Sequence, residues 1–92
     1  MNETLTSIKQ ELNDGDVCRA IERLRELLET SPEKDADIHY LLGNAYRKRG
    51  DWQGALNSYQ EAIAIDPESP AAEARNMLLD ILNFYNKDMF NQ

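Results

Sequence analysis

One block of landmark residues occurs twice in this chain at a fixed spacing. Gly15-Asp16 recurs as Gly50-Asp51, Ala20 as Ala55, Leu24 as Tyr59, Leu27 as Ala62, Leu28 as Ile63 and Pro32 as Pro67, each pair 35 residues apart. Upstream of the glycines the better spacing is 34, which puts Leu5, Ile8 and Leu12 on His39, Leu42 and Tyr46. The one-residue slip places a deletion in the turn between the two helices of the first copy. A unit of this length cannot bury its apolar face alone. The chain must therefore stack its units side by side.

Apolar spacing and end signals predict five helices, at about 3–13, 16–30, 35–49, 52–65 and 70–87. Asp16 and Asp51 read as N-caps, each after a glycine able to take positive φ at the end of the preceding helix. Ser69-Pro70 reads as a cap followed by a proline whose missing N–H costs nothing in a first turn. The chain thus divides into a degenerate first repeat (1–34, with Lys9 where the second has Gly43), a complete second repeat (35–68), a closing helix (70–87) and a tail (88–92) expected to fray. Within the second repeat, Gly43 and Ala55 are small where two helices must cross closely, and Ala62 is small where the closing helix must approach. Leu42, Tyr46, Tyr59 and Ile63 fill the space around that crossing, Pro67 ends its second helix, and Trp52 is expected to pack beside the turn.

Composition narrows the function classes. Of the 92 residues, 41% are hydrophobic, enough for one continuous core, and the net charge of −7 disfavours nucleic acid and anionic membranes as partners. No apolar run approaches the roughly 20 residues that span a bilayer, and the first ten residues lack the pattern of a secretory leader. Cys18 is the only cysteine, so an internal disulfide is excluded and a reducing, cytoplasmic setting is expected.

No residue set for chemistry emerges. His39 is the sole histidine and lacks the partners of a zinc site or a triad. Asn13-Asp14-Gly15-Asp16 is too short for a calcium loop and reads as a turn with a cap. Neither a phosphate-binding glycine loop nor an HExxH motif is present. An enzyme is not expected, nor a cofactor or a metal. Arg47-Lys48-Arg49 complements the carbonyl end of a helix, and Arg19, Glu22, Arg23, Arg25, Glu26 and Glu29 read as a solvated face of pairs within one helix.

The succession Leu42-Gly43-x-x-Tyr46, Ala55-x-x-x-Tyr59, Ala62 and Pro67 resembles the tetratricopeptide repeat, with His39 in place of the opening Trp and Tyr59 in place of the Phe. The resemblance implies an all-α fold in which helical hairpins stack as a short right-handed superhelix of about five helices. It also implies a non-catalytic protein-interaction module that binds a protein or peptide partner on its concave surface. Carried over by position, the groove residues are Asp37, Tyr40, Asn44, Arg47 and Lys48 from the second repeat. Thr6, Gln10 and Asn13 come from the first, and Arg75 from the closing helix. Some family members grip a C-terminal carboxylate with a set of Lys, Asn and Arg. Here Tyr40 replaces the Lys while Thr6 and Gln10 are neutral, so chaperone-tail binding is not expected. RNA-reading helical repeats share the period, but their basic groove conflicts with this acidic chain.

The closing helix supplies the alternative. Its apolar residues, among them Leu78, Leu82, Phe84 and Tyr85, cover an arc wider than one neighbour requires, and Met89 and Phe90 follow in the tail. Either the tail folds back over that arc, or an assembly subunit forms a homodimer or a partner contact through it.

Overall fold

A computed structural model describes the backbone of residues 2–30 and 35–90 and the side chains of 4–30 and 35–83. Five helices follow one another: α1 (Asn2–Asn13), α2 (Val17–Thr30), α3 (Ala36–Arg49), α4 (Trp52–Ile65) and α5 (Ala71–Phe90). No strand occurs among the described residues.

Local chemistry sets the ends. Gly15 and Gly50 adopt φ of 91° and 84°, the left-handed region in which a side chain would be strained. The Gly50 N–H reaches the Arg47 carbonyl at 3.0 Å and the Asp51 N–H reaches that of Tyr46 at 2.9 Å, so two of the carbonyls in the last turn of α3 are satisfied. α3, α4 and α5 each open on a side-chain oxygen acceptor. Asp51 Oδ1 accepts from the Gly54 N–H at 2.9 Å, Asp35 Oδ1 from Asp37 at 2.8 Å and Ser69 Oγ from Ala71 at 3.1 Å. The closing helix continues to Phe90 instead of ending near Lys87, because no glycine or proline follows Pro70 to stop it.

The helices stack in chain order. α3 and α4 form the most intimate pair, α3 also lies on α2, α5 on α4 and α1 on α2, while α1 touches only the edge of α3. At the α3–α4 crossing, Tyr59 is fully buried and lies directly over Gly43, with Leu42, Tyr46, Ala55 and Ala62 buried around it and Ile63 half-buried. α5 seats Ala71, Ala74 and Leu78 against the small residues of α4. Trp52 departs from expectation: it stands in the first turn of α4 and is 43% exposed, outside the buried core.

The charged face of α2 also differs from a set of pairs within one helix. Arg19 and Arg23 both bind Glu11 of α1, at 2.8 and 2.7 Å, and Arg23 donates to Ser7 Oγ at 3.2 Å. A carboxylate on the neighbouring helix, largely shielded from water, is the better partner than exposed glutamates one turn away. Arg25 instead donates to the Tyr46 hydroxyl, and its guanidinium and that of Arg49 lie 5.8 and 5.3 Å from the centre of the Tyr46 ring.

Candidate functional site

Between α1 and α3, where the two helices diverge, the surface sinks into a depression of about 320 Å³. Its wall from α1 carries Lys9, Leu12 and Asn13; its wall from α3 carries Tyr40, Leu41, Asn44, Arg47 and Lys48. Five positions read from the sequence as groove residues, Asn13, Tyr40, Asn44, Arg47 and Lys48, thus lie together. The floor is apolar, formed by the buried Leu12 and Leu41.

The structure orients the amide of Asn44 from beneath. The Tyr59 hydroxyl donates to Asn44 Oδ1 at 2.6 Å, and the Tyr40 and Tyr59 rings stand 6.2 Å apart at 38°. Burial pushes the Tyr59 phenol above the usual tyrosine range, against the opposing pull of the Arg47 guanidinium, and Tyr40 adds a smaller upward push. The hydroxyl therefore keeps its proton, occupies Oδ1, and leaves the Asn44 Nδ2 donors for the depression.

The other positions inferred from the sequence stand elsewhere. Thr6, Gln10 and Asp37 are exposed and do not line the depression; Gln10 spends its amide on Asp14 Oδ1 at 3.2 Å. Arg75 does not line it either: the residue is half-buried, and its Nε is enclosed without a hydrogen-bond partner. The reason lies in the register of α5. Ala71, Ala74 and Leu78 seat it on α4 with the spacing of Ile38, Leu41 and Ala45 in α3, 33 residues earlier. In that register Arg75 takes the place of Leu42, whereas Tyr40, Asn44, Arg47 and Lys48 correspond to Glu73, Met77, Asp80 and Ile81. Met77 and Ile81 are 58% and 42% exposed, as that correspondence requires.

The surface expected on α5 is divided. Leu78 is fully buried within the chain and Leu82 is half-buried. The side chains of Phe84, Tyr85, Met89 and Phe90 lie outside the described residues.

Lys9 is the charged groove residue that the sequence reading missed, along with Leu12 and Leu41 of the floor. It occupies the position of Gly43 in the first repeat, where the Tyr59 position is held by the shorter Leu24. With no ring to cover that position, a side chain is admitted and reaches the depression. The paired exchange of Gly for Lys and Tyr for Leu was its signal in the sequence.

Comparisons with known proteins agree with this architecture. The family model of the TPR repeat matches residues 43–72, and that of a family of unknown function (DUF6584) matches residues 1–56. The chain belongs to the tetratricopeptide-repeat proteins and, by the extent of the second match, to that family of unknown function. It is similar to the solution NMR structure of Bacteroides fragilis protein BF1650, with 57% identity, a TM-score of 0.85 and coverage of 96% of this chain and 89% of that one. It also resembles the cellulose synthase operon protein C of Escherichia coli strains K12 and O157:H7, with 30% identity over 74 residues, or 80% of this chain. The chain spans 6% of the length of those curated relatives. Repeats of this family generally mediate protein–protein interaction. Among the described residues, no helix is long and apolar enough to cross a membrane and no cluster of residues could hold a metal ion.

Proposed function

We propose that this chain is one domain of two hairpins and a closing helix, acting as a non-catalytic interaction module that holds a peptide or protein segment in the groove between α1 and α3. The observation that carries this reading is the convergence of Asn13, Tyr40, Asn44, Arg47 and Lys48, from two helices, around one apolar-floored depression. Side-chain donors, an aromatic face and a greasy floor together suit a peptide, which offers backbone acceptors and apolar side chains at once. A cytoplasmic setting belongs to the same proposal and rests on Cys18, a free, exposed thiol.

Assembly through α5 is the second reading, favoured by the exposure of Met77, Leu79 and Ile81. Burial of Leu78 inside the chain removes the centre of that surface, so the groove is the stronger reading.

Panning a random-peptide display library on the immobilised full chain tests the two. Peptides whose binding is lost on Tyr40→Ala and Asn44→Ala support the groove. Peptides indifferent to both substitutions overturn it, and a dimer by light scattering that Met77→Asp dissociates favours assembly.

A further inference from the structure

The last helix carries a surface of opposite character to the groove. In the 33-residue register, Tyr40, Asn44, Arg47 and Lys48 of α3 become Glu73, Met77, Asp80 and Ile81 of α5. All four are exposed and fall within about 100° of the helix circumference, away from the seam that Ala71, Ala74 and Leu78 make with α4. Leu79 is exposed on the far side of α5 and stands apart from this stripe. Met77 and Ile81, one helical turn apart, form a ridge that stands open to water. A ridge of that spacing seats between the turns of another helix, and the flexible methionine adapts to what lies over it.

Charge decides what kind of helix fits. Glu73 and Asp80 border the ridge and enter no ion pair among the described residues. Arg75, the one cation of α5 between residues 71 and 83, is turned about 140° or more from either acid. A purely apolar partner would strip water from both carboxylates and return nothing. A second copy would bring its own Glu73 and Asp80 to the same contact, so like charges would crowd it. A basic partner relieves both acids, and the net charge of −7 draws it in.

We propose that this stripe of α5 docks a basic amphipathic helix of another protein. The apolar residues of that helix straddle Met77 and Ile81, and its lysines or arginines pair with Glu73 and Asp80. The surface is separate from the depression between α1 and α3 and opposite to it in charge, so it acts alongside the groove and does not depend on it.

The test titrates the isotopically labelled full chain with a synthetic helix of about 18 residues that carries a leucine stripe bordered by lysines. A matched helix bordered by glutamates is the control. Amide resonances of residues 72–83 should shift with the lysine helix, while those of α1 and α2 stay in place. Affinity should fall about tenfold on Met77→Ala and about fivefold on Asp80→Lys, and the glutamate helix should gain by a similar factor on Asp80→Lys. If Asp80→Lys unfolds the chain, Asp80→Asn should still weaken the lysine helix about threefold. Shifts spread over the whole acidic surface, or binding unchanged by Met77→Ala, overturn the proposal in favour of bare charge attraction. Binding lost on Tyr40→Ala and Asn44→Ala puts the helix in the groove, which overturns this proposal and supports the groove reading. A dimer by light scattering that Met77→Asp dissociates gives the stripe to a second copy and overturns the foreign partner.

Discussion

Tyr59 covers Gly43 so closely that a β-carbon at residue 43 would overlap Cδ1 and Cε1 of its ring. The ring is the largest fully buried side chain among the described residues, and its hydroxyl ends on Asn44 at the edge of the groove. One contact thus joins the tightest helix crossing to the candidate site.

Gly43→Ala should destabilise the domain by about 1–3 kcal/mol, because the ring has no free space into which to retreat. Combining it with Tyr59→Leu should cost less than the sum of the two single changes, since the pair then approaches Lys9 and Leu24 of the first repeat. Urea denaturation of the four proteins measures the coupling; strict additivity would show that the ring does not impose the glycine.

Tyr59→Phe removes the donor to Asn44 Oδ1 and should cost about 0.5–1.5 kcal/mol at neutral pH. The phenol's pKa is raised in the folded state, so the unfolded chain loses its proton first. Its contribution is therefore fully present below the ordinary tyrosine pKa of 10.0 and is lost as pH rises from there through the folded value. Melting curves between neutral and strongly alkaline pH should show a steeper decline for the unaltered chain than for Tyr59→Phe.

Glu11→Gln should loosen α1 from α2, since one carboxylate serves both Arg19 and Arg23. Arg19 is well exposed and contributes little; Arg23 and the shielded Glu11 account for most of a loss of about 1 kcal/mol. Amide exchange in α1 should accelerate more than in α4, and salt should diminish the difference between the two proteins.

Leu78→Ala should destabilise by about 2–5 kcal/mol, whereas Met77→Ala, one residue away, should fall within about 0.5 kcal/mol of the parent. Thermal melting compares them directly. Equal effects would contradict the seating of α5 on α4 through Ala71, Ala74 and Leu78.

Gly50→Ala places a β-carbon at a φ of 84°, where the surrounding space is open but the backbone conformation is strained. A loss of about 1 kcal/mol is expected, without change in the groove, and chemical denaturation measures it.

Much of the fold was legible because its determinants are local. The repeated Gly-Asp turns, the oxygen caps and the alternation of small and large residues at 43, 55 and 59 act between neighbours in sequence or within one hairpin. They encode helix ends and one crossing with little reference to the rest of the chain, which is why four of the five helices end within a residue of expectation. The groove was legible mainly where the complete repeat supplied it: Tyr40, Asn44, Arg47 and Lys48 line it together with Asn13 of the first repeat, but Thr6, Gln10, Asp37 and Arg75 do not. What the tertiary structure alone decided was the partner of each long side chain. Glu11 draws Arg19 and Arg23 across a helix interface, Arg25 finds Tyr46, Lys9 lines the depression beside Leu12 and Asn13, and the register of α5 turns Arg75 away while presenting Met77. Each of these depends on how far one helix rotates and slides against another. That rotation is set by the summed packing of many side chains distant in sequence, so no single spacing records it.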